Sequence, residues 1–152
     1  SVAHAGLAAT AGEYTVVIKS WSAPGAPPSE STGTASRKLM LGGRVVSEEL
    51  QSSMYGQPYT GFGLTGFDNV TGKYWTTWND SMTTGLTVGE GECDAQARCA
   101  FTAHWDDPVS KQPVTARIAI RWTSPSVEIF EMHGPGPDGK EMKMMEMTYT
   151  RK

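Results

Sequence analysis

Short stretches of strand-like sequence fill nearly the whole chain, with turn-forming residues between them roughly every 8 to 14 positions. Tyr14 to Trp21 reads YTVVIKSW, β-branched and aromatic, and the PGAPP segment at 24–28 stops it. Ser31 to Met40 and Arg44 to Met54 follow, divided by Leu41-Gly42-Gly43. Tyr55-Gly56-Gln57-Pro58 turns the chain into Tyr59 to Phe67, where Gly61, Gly63 and Gly66 indicate a strongly bent or closely packed strand. The DNVTG turn leads to Lys73 to Asn79, and Thr84 to Cys93 and Cys99 to Trp105 flank a DAQAR loop. After a longer connection opening with Asp106-Asp107-Pro108 come Val114 to Trp122, Val127 to His133 and Lys140 to Thr150. The last two are joined by Gly134-Pro135-Gly136-Pro137-Asp138-Gly139, a turn whose prolines fix φ and lack donors and whose glycines supply the reversal.

Ten strands in sequence with short connections pair mostly with their chain neighbours, which predicts an up-and-down antiparallel meander. Closing the meander removes its edges, and a barrel of this size holds filling side chains or one small ligand. A sandwich requires longer crossover connections. The expected fold is therefore all-β, a single antiparallel barrel of about ten strands. Only residues 3–11 are compatible with a helix, too short to be stable alone, and it would serve as a lid or plug at a barrel mouth.

A length of 152 residues suits one domain spanning 1–152. With 13 basic against 16 acidic residues, the net charge of -3 offers no footprint for nucleic acid or an anionic membrane. No apolar run approaches the roughly 18 residues that span a bilayer, so a soluble chain is expected. The small residues after Ser1 are compatible with removal of an upstream targeting segment, and a trimmed chain would look the same; secretion is slightly favoured over a cytoplasmic location. Cys93 and Cys99 flank a tight loop, so they are either a disulfide across a hairpin or two packed thiols. Their spacing does not suit a zinc site.

The segments PGAPP, LGGRVVSEE, YGQPYTGFGLTGFDNVTGKYWTTWNDSM, TGLTVGEG and FEMHGPGPDGKEMKMMEMTYTRK resemble the bacterial family catalogued as domain of unknown function 1579, over about residues 10–152. The resemblance implies a barrel like those of lipocalins and fatty-acid-binding proteins, and no established activity. Cys93, Cys99 and His133, where an aromatic such as Tyr is expected, depart from the family pattern.

The candidate chemistry lies on the last three strands. Arg117 and Arg121 share a face with Thr115 and Ala119, opposite Val114, Ile118 and Ile120. Facing a lumen, the two guanidiniums would grip a carboxylate or phosphate; facing outward, they are solvated charges. Glu131 shares a face with Val127 and Ile129, and strict alternation puts Glu146 with Met142 and Met144, so a carboxylate in apolar surroundings is expected. It belongs to a structural network with Arg117, Arg121 or Arg151, to a ligand or acid–base site, or to the exposed surface.

Trp75, Trp78, Trp105 and Trp122, with Tyr59, Phe62 and Tyr74, suffice either to line a pocket or to fill a core. Asp80 reads as a turn residue or a pocket-mouth acceptor, and Met142, Met144, Met145 and Met147 as an adaptable wall or plain packing. His104 and His133 are the only candidates for haem ligation, and no cofactor is expected. The GFGLTG stretch lies inside a strand, so it is no nucleotide fingerprint.

The leading functional expectation is a small-molecule-binding barrel for an apolar or amphipathic ligand, with Arg117, Arg121, Glu131, Glu146, Trp75, Trp78, Tyr74 and Met144 as contacts. The alternatives are an isomerase, cyclase or hydrolase using Glu131, Glu146 or Asp80, and a structural or interaction module with a packed lumen.

Overall fold

The computed structural model describes residues 1–152. A helix α1 (Val2–Ala9) precedes ten strands: β1 (Gly12–Ser20), β2 (Ser29–Met40), β3 (Val45–Met54), β4 (Gln57–Asp68), β5 (Lys73–Asp80), β6 (Thr87–Cys93), β7 (Cys99–Asp106), β8 (Pro113–Ser124), β9 (Val127–Pro135) and β10 (Glu141–Arg151). Each strand expected from the sequence is present, with ends displaced by a few residues. The largest displacement is at β6, which starts at Thr87 because side chains hold the preceding loop off the ladder. There the Asn79 amide donates to the Gly85 carbonyl, and the Gly85 N–H donates to the Thr83 hydroxyl.

Every strand pairs antiparallel with its chain neighbour, and β1 closes on β10 in the register Tyr14 to Arg151 through Ser20 to Met145. The meander is thus a closed barrel with no free edge. Reading the alternation around the register gives one inward set, which runs Tyr14, Val16 and Ile18 on β1, Ala35 and Arg37 on β2, and Glu48 and Leu50 on β3. On the far wall it continues through Phe101 and Ala103 of β7 and Ala116, Ile118 and Ile120 of β8. One end of the barrel carries α1, whose Leu7 is buried and whose His4 ring meets Phe67 edge-on. The other end carries the β1–β2, β3–β4, β5–β6, β7–β8 and β9–β10 connections and no helix.

A register shift between Lys143 and Met145 breaks the alternation of β10. Such a bulge inserts one residue and reverses the phase of the strand beyond it. Met142 and Met147 are consequently both buried although five positions apart, and Met144 lies over Gly134 and Ala116 on the inner side. Glu146, which strict alternation grouped with Met142 and Met144, stands opposite Glu131 on the outer side.

The apolar core is split. One buried cluster, Tyr14, Val16, Ile18, Ala35, Leu50, Tyr59, Met147 and Tyr149, belongs to β1–β4 and β10; a second, Phe101, Ala103 and Ile118, belongs to β7 and β8. Phe130 packs against both. The glycine-rich β4 serves this interior: the Trp78 indole lies flat on Gly61 and Gly63, and a Cβ on Gly63 would come within 2.7 Å of the ring. A folded chain of 16.4 kDa is expected to expose about 7,500 Å², whereas this one exposes 8841 Å².

The β3–β4 hairpin turns on two residues, Tyr55 and Gly56, both in the left-handed region at φ 50° and 76°. Glycine adopts that conformation freely, but the exposed Tyr55 does so at a cost that packing does not offset. Tyr55→Asn is expected to stabilise the protein by about 0.5–1 kcal/mol, because asparagine tolerates this region. A urea midpoint that is unchanged or lowered would contradict that account of the turn.

Candidate functional site

The inner wall near the helix end holds a charge cluster assembled from five strands. Arg37 on β2 donates from Nε to Glu48 of β3 at 2.7 Å and from Nη1 and Nη2 to the two carboxylate oxygens of Glu128 on β9, at 3.1 and 2.7 Å. Its guanidinium carbon lies over the rings of Tyr14 and Tyr149, at 4.7 and 4.5 Å from their centroids, and the two rings meet each other edge-on. Tyr149 donates its hydroxyl to the second oxygen of Glu48 at 2.9 Å. The charged side chains are nearly excluded from water, at 10% exposure for Arg37, 15% for Glu48 and 6% for Glu128.

Burial works against the charge on Arg37, but Glu128 and Glu48 outweigh it and hold the guanidinium well above its ordinary pKa. The phenol of Tyr149 is likewise pushed well above its ordinary value, chiefly by burial and then by the Glu48 carboxylate. Beyond this cluster Arg151 seals the helix end: it donates to the carbonyls of Ala9, Ala11 and Pro125 while lying over Tyr14 and Trp122.

A second polar group sits towards the opposite end. Asp80 Oδ2 accepts from the Tyr59 hydroxyl and from Trp78 Nε1, each at 3.0 Å, while Oδ1 accepts from the Met82 N–H at 2.9 Å. Asp80 therefore bonds its own turn, one of the two readings its sequence position suggested, and also accepts from two inward side chains. Burial, followed by the Asp80 carboxylate, raises the Tyr59 pKa.

The sequence candidates divide between the two sides of the wall. Trp78, Tyr74 and Met144 face inward, and Tyr74 meets both Phe67 and Phe101 edge-on. Arg117, Arg121, Glu131 and Glu146 are on the outer side, so a luminal role for these four is corrected by the register. Arg117 pairs with Glu141; Arg121 and Lys143 each approach Glu131 at 3.4 Å; and Lys143 also pairs with Glu146. Burial tends to raise the Glu131 pKa, but Lys143 and Arg121 outweigh it and lower the carboxyl. Of the Glu–Arg pairings expected from the sequence only Arg121–Glu131 is present; Glu146 pairs with Lys143, Arg117 with Glu141, and Arg151 bonds backbone carbonyls. Trp75 is also external, flat on Gly66.

His104 is exposed and bonded to Thr115, and His133 stands beside Arg117 and Lys143 on the outer wall, so neither faces the lumen. Cys93 and Cys99 form a disulfide across the β6–β7 hairpin.

The inner cluster was not among the residues singled out from the sequence. Its signal was nevertheless present: Glu48 alternates with Val46 and Leu50, and Glu128 alternates with Phe130 and Met132. A carboxylate on an apolar strand face needs a partner where that face is inward, but the pattern alone does not separate Glu128 from Glu131, which shares the outer face of β9 with Val127 and Ile129.

Residues 1–151 match the family model described as "Protein of unknown function (DUF1579)". The chain belongs to the DUF1579 family. No curated protein matches it. Among solved structures, this DUF1579 barrel is similar to the S-type phycobiliprotein lyase CPES from Guillardia theta, with a TM-score of 0.66 and 11% identity over 97% of this chain and 91% of that one. It is also similar to EF1p2_mFAP2b bound to DFHBI, with a TM-score of 0.51 and 13% identity over 99% of this chain and 98% of that one. Identities this low show a shared fold alone.

The buried cluster makes two predictions. Arg37→Met leaves two carboxylates without their cation and is expected to cost about 3–5 kcal/mol in urea unfolding. Adding Glu48→Leu and Glu128→Leu is expected to restore at least half of that loss, since well-packed apolar groups replace a buried ionic set at little net cost. A single substitution that changes stability by less than about 1 kcal/mol would mean the cluster is not buried as described.

The phenols of Tyr59 and Tyr149 have pKa values raised above the ordinary 10.0, so the folded state holds protons that the unfolded state releases. Their contribution is complete below pH 10.0 and is lost as pH rises from there through the folded values. Stability measured by urea unfolding should fall above that pH, and less steeply in Tyr149→Phe. Equal slopes would remove Tyr149 from this account.

Proposed function

We propose that this DUF1579 barrel binds one small apolar or amphipathic molecule in its lumen. The observation that carries the proposal is the divided core. Between the cluster on β1–β4 and β10 and the cluster on β7–β8, the inward side chains Tyr74, Trp78, Ile120, Phe130, Met132 and Met145 are only partly buried. A tightly filled barrel would bury them, as protein interiors pack to crystal-like density. Partial burial of apolar and aromatic side chains facing inward is the lining expected of a small-molecule site.

The entry side follows from the asymmetry of the ends. Helix α1, Arg151 and the Tyr14 hydroxyl bonded to the Thr10 carbonyl occupy one end. At the other end, Met142, Met144 and Met145 supply flexible thioether side chains that can move aside and repack around different shapes. The Asp80 carboxylate, which accepts from Tyr59 and Trp78, offers further acceptor capacity to orient a guest. The similar structures support the reading, one being a lyase named for phycobiliproteins and the other a barrel bound to DFHBI. Catalysis is not proposed, because Glu131 and Glu146 are committed to cations on the outer wall.

The neutral fluorescent probe N-phenyl-1-naphthylamine should bind saturably at one molecule per chain, counted by native mass spectrometry. Ile120→Trp, which adds bulk between the two core clusters, is expected to weaken it at least about tenfold. Arg117→Ala on the exterior should leave the affinity unchanged, with thermal unfolding used to establish that both variants fold. Equal affinities in the two variants would place the probe outside the lumen and defeat the proposal.

A further inference from the structure

We infer that the lumen discriminates by charge, accepting an amphipathic organic cation, such as an alkylammonium, in preference to an anionic amphiphile. This rests on the proposed luminal binding and adds the chemical class of the guest. The alternation and register place five charged side chains on the inner wall: Arg37, Arg151, Glu48, Asp80 and Glu128. Their formal sum is negative. Every lysine of the strands faces outward, as do Arg117 and Arg121.

Neither inner cation is available to an anionic guest. Arg37 is bonded to both Glu48 and Glu128 through Nε, Nη1 and Nη2, and it packs against the rings of Tyr14 and Tyr149. Arg151 is bonded to three backbone carbonyls beneath the helix and faces Tyr14 and Trp122. A guest carboxylate would have to displace one of these sets or lie unpaired beside like charges, and either is unfavourable in a poorly hydrated interior.

A guest cation meets the opposite situation. Asp80, the acid on the Tyr59–Trp78 side, has only neutral donors around it: the Tyr59 hydroxyl, the Trp78 indole N–H and the Met82 N–H. Its charge is therefore offset by dipoles and not by a counter-ion. An ammonium beside it would gain a charge-assisted hydrogen bond and the faces of Trp78 and Tyr59, the ring types that attract cations best. The apolar remainder of the guest would lie along Phe130, Met132 and Met145.

Decylamine, decanol and decanoate carry the same chain with a cationic, neutral or anionic head at pH 7. Competing each against N-phenyl-1-naphthylamine on the full chain should give half-displacement by decylammonium at a concentration at least about tenfold below that for decanoate, with decanol between. Asp80→Asn, which keeps an acceptor but removes the charge, should reduce that ratio to about threefold or less. Decanoate binding as tightly as decylammonium would overturn the charge inference and leave luminal binding standing. No binding of the naphthylamine or of any of the three would overturn both. An unchanged ratio in a folded Asp80→Asn variant would overturn the assignment of selectivity to Asp80; should that variant not fold, the wild-type ratio still decides the preference for a cation.

Discussion

The position of Arg37 is the constraint to which the rest of the barrel conforms. Its guanidinium is held by Glu48 and Glu128 and packed against Tyr14 and Tyr149, so a single side chain ties together β3, β2, β1, β10 and β9, five consecutive staves around the wall. The middle of that series is the seam where the first strand meets the last. Pairing strands so far apart in sequence carries the largest loop-closure cost of any pairing in the meander. A buried ion set with fixed geometry makes one register satisfactory and leaves slipped registers with uncompensated charge.

Concentrating packing at the seam has a consequence for the opposite wall. The larger buried cluster gathers around the seam, while β7 and β8 contribute Phe101, Ala103, Ala116 and Ile118. A wall carrying small residues such as Gly89, Gly91, Ala103 and Ala116 does not reach across to the seam side. Partly exposed aromatic and methionine surface remains between them. The outer Arg121–Glu131–Lys143–Glu146 ladder belongs to neither cluster.

Most of the fold was legible along the chain. Turn chemistry at PGAPP, DNVTG and GPGPDG marks the connections, and the strand stretches between them leave little doubt about their number. The glycines of β4 signalled close packing, which proved to be the indoles of Trp78 inside and Trp75 outside. The site was less legible. Strict alternation placed Glu146 with Met142 and Met144, and the bulge after Lys143 separated them, because one inserted residue changes the face of everything beyond it. The absolute facing of Arg117 and Arg121 was equally open, since a period of two groups residues on a face without saying which face is inside.

The sequence by itself determined the ten strands, the antiparallel meander and the identity of the residues sharing each uninterrupted strand face, because turn propensity and side-chain alternation are local properties of the backbone. Only the tertiary structure decided which face became the lumen. It also decided that Arg37, and not Arg117 or Arg121, is the arginine buried there. Those outcomes depend on closure: Glu48 and Glu128 lie 80 positions apart in the chain and meet at one guanidinium only after β1 has paired with β10.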